Sequence, residues 1–121
     1  MATPIRILAV DDDPNMRRLY ELYLNLKVFD ITSVSSARLA LQKLKTEQFD
    51  VLITDVQMPQ MDGISLIKKI RKEENKIPAI IISASDTNEI RTSARSSGAN
   101  LILEKPFEQE ALIQSIEKLF S

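Results

Sequence analysis

Val51-Leu52-Ile53-Thr54-Asp55-Val56-Gln57-Met58-Pro59-Gln60-Met61-Asp62-Gly63 carries an apolar run, rich in β-branched residues, straight into one carboxylate and then into a loop marked by proline and glycine. A run without polar alternation reads as a strand covered on both faces. Such a strand delivers Asp55 to the carboxyl edge of a sheet. The pattern recurs. Ile7-Leu8-Ala9-Val10 stops at Asp11-Asp12-Asp13, Ala79-Ile80-Ile81-Ile82 stops at Ser83-Ala84, and Leu101-Ile102-Leu103 leads through Glu104 to Lys105-Pro106. In open α/β sheets ligands bind outside the carboxyl ends of the strands. The carboxylates, hydroxyl and ammonium are therefore candidates for one shared site.

Outward from these runs the chain alternates strand and helix five times, with strands near 5–10, 30–34, 50–54, 79–84 and 100–103. Asp13-Pro14 reads as an N-cap with proline at the first helical position. Met16, Leu19, Tyr20, Tyr23 and Leu26 or Lys27 follow at helical spacing. Ser35 or Ser36 caps a second helix striped by Ala37, Ala40, Leu41 and Leu44. Ile64, Ile67 and Ile70 mark a third, with Lys68, Lys69, Arg71 and Lys72 facing outward. Asp86 and Glu89 have the spacing of a capping box for a fourth, which Gly98 terminates. Leu112, Ile113, Ile116, Leu119 and Phe120 stripe a fifth. Strict alternation implies a parallel sheet with right-handed crossovers and helices on both faces. Residues 1–121 are expected to form one domain, with no second domain attached.

Composition narrows the function classes. The 121 residues carry a formal net charge of −1. No basic surplus argues for direct nucleic acid binding or for an anionic membrane. No apolar stretch argues for a signal peptide or membrane insertion, so a cytoplasmic location is expected. The chain has no Cys and no His. Thiolate and imidazole metal sites, histidine general bases and a phosphohistidine of its own are excluded.

Asp11 and Asp12 are adjacent, yet at a strand end that turns into a helix both can approach Asp55. One reading makes Asp11, Asp12 and Asp13 solvated helix caps. The other gathers Asp11, Asp12 and Asp55 around a hard divalent cation, for which oxygen-only ligands suit Mg2+ or Mn2+. Lys105 projects from a strand end on the same edge, where an ammonium favours ionised carboxylates and can pair with a phosphoryl oxygen.

Taken together, Val10-Asp11-Asp12-Asp13-Pro14, Asp55 through Gly63, Ser83-Ala84 and Glu104-Lys105-Pro106-Phe107 resemble the receiver domain of bacterial two-component response regulators. The likeness runs from Ile5 to Leu119 and is closest to the stand-alone, chemotaxis-regulator type. It implies a flavodoxin-like, doubly wound, five-stranded parallel sheet of order 2-1-3-4-5 with five helices. It also implies that Asp55 is the phosphoacceptor, a carboxylate nucleophile. Asp12 would ligate Mg2+ directly, Asp11 through water and Gln57 through its backbone carbonyl, beside Asp55. Ser83 with the Ala84 N–H would take one phosphoryl oxygen and Lys105 another, and the Lys105–Pro106 bond would be cis. The implied donor is a sensor histidine kinase or phosphotransfer protein. The implied output is a protein target docked on the face of the fourth helix, last strand and fifth helix. The chain departs from the family at Ile102, where an aromatic residue often stands three residues before the lysine.

Other functions fit less well. A haloacid-dehalogenase-type phosphohydrolase needs a second Asp where Gln57 stands, and an amide delivers no proton. A P-loop is missing, and the chain has only two Gly. An EF-hand starting at Asp11 would need Gly at Met16 and Glu at Leu22. A phosphorylation-independent pseudo-receiver is the remaining alternative, supported by Ile102 alone.

Overall fold

The computed structural model describes residues 3–85 and 87–120. Its elements run β1 (Ile5–Val10), α1 (Pro14–Tyr23), β2 (Phe29–Val34), α2 (Ala37–Thr46), β3 (Val51–Asp55), α3 (Gly63–Lys72), β4 (Ala79–Ser83), α4 (Asn88–Ser97), β5 (Leu101–Glu104) and α5 (Gln109–Lys118). The strands form one sheet, ordered β2-β1-β3-β4-β5, and every pairing is parallel. This is the architecture and strand order expected.

The continuous apolar strands divide by side-chain alternation between two cores. Leu8, Val10, Leu52, Ala79 and Ile81 pack with residues of α2, α3 and α4 on one face. Ile7, Ala9, Val51, Ile53, Ile80 and Ile82 pack on the other face with Tyr20 and Leu24 around α1 and with Leu112 and Ile116 of α5. β3 and β4 are buried throughout. Strands buried on both faces leave their ends as the outlet for polar side chains, and Asp55 is the last residue of β3 and Ser83 the last of β4.

Helix boundaries refine several expectations. Asp13 caps α1 by accepting from the Asn15 N–H, and Ser36, not Ser35, caps α2 by accepting from the Leu39 N–H. α1 ends at Tyr23, so the buried stripe closes at Leu24, and Leu26 lies exposed in the following loop. Phe120 lies beyond α5 and is exposed. Thr87 caps α4 through the Ile90 N–H. The capping box expected at Asp86 rests on a residue outside those described. Arg71 does not face outward. Its guanidinium donates to the Gly98 and Asn75 carbonyls and to Asn100 Oδ1, so it ties the end of α3 to the end of α4. Gly98 closes α4 at a φ of 100°, a backbone region open to glycine.

α4 has the thinnest attachment. It buries Ala94 and Ser97, both small, with Ile90 half-buried. Ser and Thr in its sequence are middling helix formers. Local opening follows from scarce buried apolar contact. Native-state hydrogen exchange is therefore predicted to find α4 the least protected of the five helices. Protection equal to that of α3, which buries Leu66, Ile67 and Ile70, would contradict it.

Candidate functional site

The carboxyl edge of the sheet gathers Asp11, Asp12, Asp55, Gln57, Ser83, Ala84 and Lys105. Hydrogen bonding to β2 and β3 holds β1 in place, and its end presents Asp11, fully buried, and Asp12, exposed. Asp55 arrives from the neighbouring β3 and is 7 % exposed. One carboxylate oxygen each from Asp11, Asp12 and Asp55 lies within 4.8 Å of the others. Asp13 stands apart as the helix cap, so the triplet divides between the two readings.

Lys105 supplies the facing charge. Its Nζ is 3.2 Å from Asp55 Oδ1 and 4.0 Å from Asp11 Oδ2. The Lys105 N–H donates to the Ser83 carbonyl, which continues the β4–β5 ladder past Glu104 and sets where the side chain starts. The Lys105–Pro106 bond is cis, as the resemblance implied. Asp55, Gln57, Ser83, Ala84, Ser85, Ile90 and Lys105 line one small cleft of about 70 Å³. Gln57 is exposed and also borders an adjoining groove with Asp12, Met58, Pro59 and Asp62, which places it between Asp55 and Asp12.

Ser83 is engaged at both ends of its hydroxyl. Oγ donates to the Ser85 carbonyl at 2.6 Å and accepts from the Ser85 N–H at 3.1 Å. Any swing toward a ligand on Asp55 must break that local turn.

Burial, then the negative charge of neighbouring carboxylates, raises Asp11 to about 6 against the pull of the Asp13 N–H and of Lys105. Burial raises Asp55 as well, opposed chiefly by Lys105. Asp11 Oδ1 accepts from the Asp13 N–H at 2.9 Å, whereas buried Oδ2 has no hydrogen-bond partner. Three crowded carboxylates, an oxygen-only donor set and an orphaned buried oxygen are the conditions a hard divalent cation relieves. The residues present therefore fit Mg2+ or Mn2+.

Several supporting residues escaped the sequence reading. Gly63, read there as a loop marker, opens α3 directly behind the site. A Cβ at Gly63 would collide with the Asp55 carbonyl oxygen and crowd Thr54 Oγ1, and its N–H donates to the Val56 carbonyl. Thr54 Oγ1 donates to the Asp55 carbonyl inside the core. Arg17 donates to the Asp11 carbonyl at 2.8 Å. Asp62 caps α3 through the Ser65 N–H. Of these only Gly63 left a signal, as one of two glycines in the chain.

Residues 7–117 match the family described as response regulator receiver domain. The chain is 35% identical over 115 residues to the sensor protein EvgS of Escherichia coli, covering 95% of this chain and 10% of that protein. It is 29% identical over 117 residues to the transcriptional regulatory protein TrcR of Mycobacterium tuberculosis, covering 97% and 46%. The chain thus spans less than half the length of these curated relatives. Among solved structures, the receiver domain of Francisella response regulator 1452 superposes with a TM-score of 0.89 at 33% identity, covering 95% of each chain. The chemotaxis response regulator CheY4 of Vibrio cholerae superposes with a TM-score of 0.90 at 29% identity, covering 96% and 98%.

The raised Asp11 carries a sign. Between about pH 4 and pH 6 the folded, metal-free protein holds a proton that the unfolded chain has released, so stability falls as pH rises through this window. The loss attributable to Asp11 is predicted at about 2 kcal/mol. Urea unfolding of wild type and Asp11→Asn without divalent cations checks it: the wild type should lose stability relative to the variant as pH rises, and a difference independent of pH would contradict the assignment.

Proposed function

Because the chain belongs to the family of response regulator receiver domains, we propose that it acts in a two-component system by accepting a phosphoryl group on Asp55. The observation that carries the reading is the Lys105 ammonium 3.2 Å from Asp55 Oδ1, with Asp11 and Asp12 oxygens beside the same carboxylate and Ser83 on the rim of the same cleft.

An Asp55 oxygen attacks the phosphorus of a phosphohistidine on the donor. The P–N bond breaks, the electron pair leaves with the imidazole nitrogen, and the Asp55 side chain becomes an acyl phosphate. Transfer spreads negative charge over the equatorial phosphoryl oxygens, so positioning and electrostatic clamping dominate catalysis. Lys105, now paired with Asp55, shifts its ion pair to a phosphoryl oxygen. The Ser83 hydroxyl exchanges the Ser85 carbonyl for another, beside the Ala84 N–H. Asp12, Asp11, Asp55 and the Gln57 carbonyl are the groups that would hold Mg2+. When bound, the ion neutralises charge on the carboxylates and the transferring group. The chain turns over no separate substrate. It catalyses only the formation and loss of its own acyl phosphate.

The donor is a sensor histidine kinase or a phosphotransfer protein, since no His exists here to hold the phosphoryl group. Output passes through non-covalent binding of a protein target on the face of α4, β5 and α5. No nucleic acid is bound directly. The chain's site of action is the cytoplasm. No described helix is long and apolar enough to cross a membrane.

Ile102 shapes the switch. It is half-buried on the α2–α4 face of the sheet and borders a cleft of about 210 Å³ with Arg91, Arg95, Ala99, Asn100 and Leu101. A ligand shifts a population only through differential interaction with the two states. Ser83 supplies one such interaction, but Ile102 is stiff at χ1 and shorter than an aromatic residue, so it fills the space behind a moving Ser83 poorly.

Two predictions follow from these roles. Acetyl phosphate with Mg2+ should add one phosphoryl mass to the wild type and none to Asp55→Asn or to wild type held in chelator. An adduct that survives Asp55→Asn would sink the acceptor assignment, and a wild type that takes up no phosphoryl group would leave a phosphorylation-independent interaction module. Ile102→Tyr should leave the phosphorylation rate nearly unchanged and enlarge the NMR shift difference between free and beryllofluoride-bound protein along β5. Equal shift differences in the two proteins would show that the ring is not needed.

A further inference from the structure

Tyr20 takes no part in the roles assigned so far, yet it is the largest fully buried side chain in the protein. It lies nearly two turns into α1, and helical side chains lean back toward the helix N-terminus. The N-terminus of α1 adjoins Asp11 at the sheet edge, so this lean carries the phenol toward that carboxylate. Its ring stacks on Phe107, with centroids 6.2 Å apart and planes 15° from parallel. Phe107 follows Lys105 and Pro106, so the ring sits under the same edge from which Lys105 reaches Asp55 and Asp11.

Two buried side-chain polar atoms lack a hydrogen-bond partner among the described residues: the Tyr20 hydroxyl and Asp11 Oδ2. One can donate and the other can only accept while ionised. Burial first, then the charges of Asp11 and Asp55, raises the proton affinity of the Tyr20 hydroxyl, which keeps it a donor. Buried polar groups are rarely left unpaired, and a buried water serves where a site supplies two to four polar partners. Lys105 Nζ, 4.0 Å from Asp11 Oδ2, is a third group at this point.

We propose that the Tyr20 hydroxyl is linked through one buried water to Asp11 Oδ2, which makes Tyr20 a positioning residue that orients the Asp11 carboxylate for a divalent cation. The proposal rests on the reading of Asp11 as part of the cation site. Groups that orient metal ligands in this way typically change metal affinity tenfold or more when removed.

Tyr20→Phe keeps the ring stack and deletes only the hydroxyl. In metal-free protein this variant should melt a few degrees lower than wild type, because Asp11 loses its donor. Calorimetric titration should show Mg2+ binding weakened roughly tenfold. A variant that melts at or above the wild-type temperature would mean that an unpaired hydroxyl had been removed, and would overturn the proposal. So would unchanged Mg2+ affinity. A general packing defect is separated by repeating the metal-free melts in an Asp11→Asn background, where deleting the hydroxyl should cost clearly less; equal shifts in both backgrounds overturn the link. If wild type neither binds Mg2+ nor labels at Asp55, the proposed function fails, while the metal-free comparison still judges the bond between Tyr20 and Asp11.

Discussion

One ammonium facing three carboxylates sets the terms for this sheet edge. Lys105 makes the only ion pairs to Asp55 and Asp11 among the described residues, at 3.2 Å and 4.0 Å. One positive charge cannot compensate three carboxylates, two of which are buried. The remainder appears as raised proton affinity at Asp11 and Asp55 and as an orphaned Asp11 oxygen. Such an arrangement persists because the surrounding fold over-determines it. The same unbalanced charge makes the site receptive to a divalent cation. Stability given up in the apo state becomes affinity for what binds there.

The scaffold meets that demand with stiffness on one side and slack on the other. β3 is buried along its whole length, and Thr54, Gly63 and Val56 lock the peptide around Asp55 from behind. A close helix N-terminus is possible there only because residue 63 has no Cβ. Asp55 is therefore held rigidly. On the other side of the cleft, Ser83 holds a local turn with Ser85, and α4 beyond it buries little more than Ala94 and Ser97. A change at the Asp55 oxygens can rearrange the weak side without disturbing the strong one. Arg71, bonded to the Gly98 carbonyl, anchors the far end of α4.

Much of this was legible in the residue pattern. Unbroken apolar runs ending at Asp11, Asp55, Ser83 and Lys105 marked the strands, their burial on both faces and the edge where polar groups collect. Asp13-Pro14 and Gly98 marked helix ends, because caps and positive-φ residues depend on backbone chemistry within one turn. The misreadings share a cause. Arg71 was counted as an outward cation, and Leu26 (or Lys27) and Phe120 as positions on helical stripes. Helical periodicity shows which residues share a face, but not where a helix stops or which carbonyl of another element lies within reach. Tyr20 was read as one more helical stripe position, since nothing near it in sequence shows that its hydroxyl would be buried without a hydrogen-bond partner.

The sequence by itself determined the alternating α/β class, the buried character of the central strands, the order in which the polar residues leave them, and the exclusion of histidine and cysteine chemistry. Each of these depends on local periodicity, on turn residues or on composition. Only the tertiary structure decided that Asp11 and Asp12 part from Asp13, that Lys105 reaches Asp55 more closely than Asp11, that Ser83 is tied to Ser85, and that Gly63 is needed behind Asp55. Those facts depend on distances between segments tens of residues apart. Such distances are set when the two cores pack against the sheet, and electrostatic and steric energies vary too steeply with them to be read from residue order.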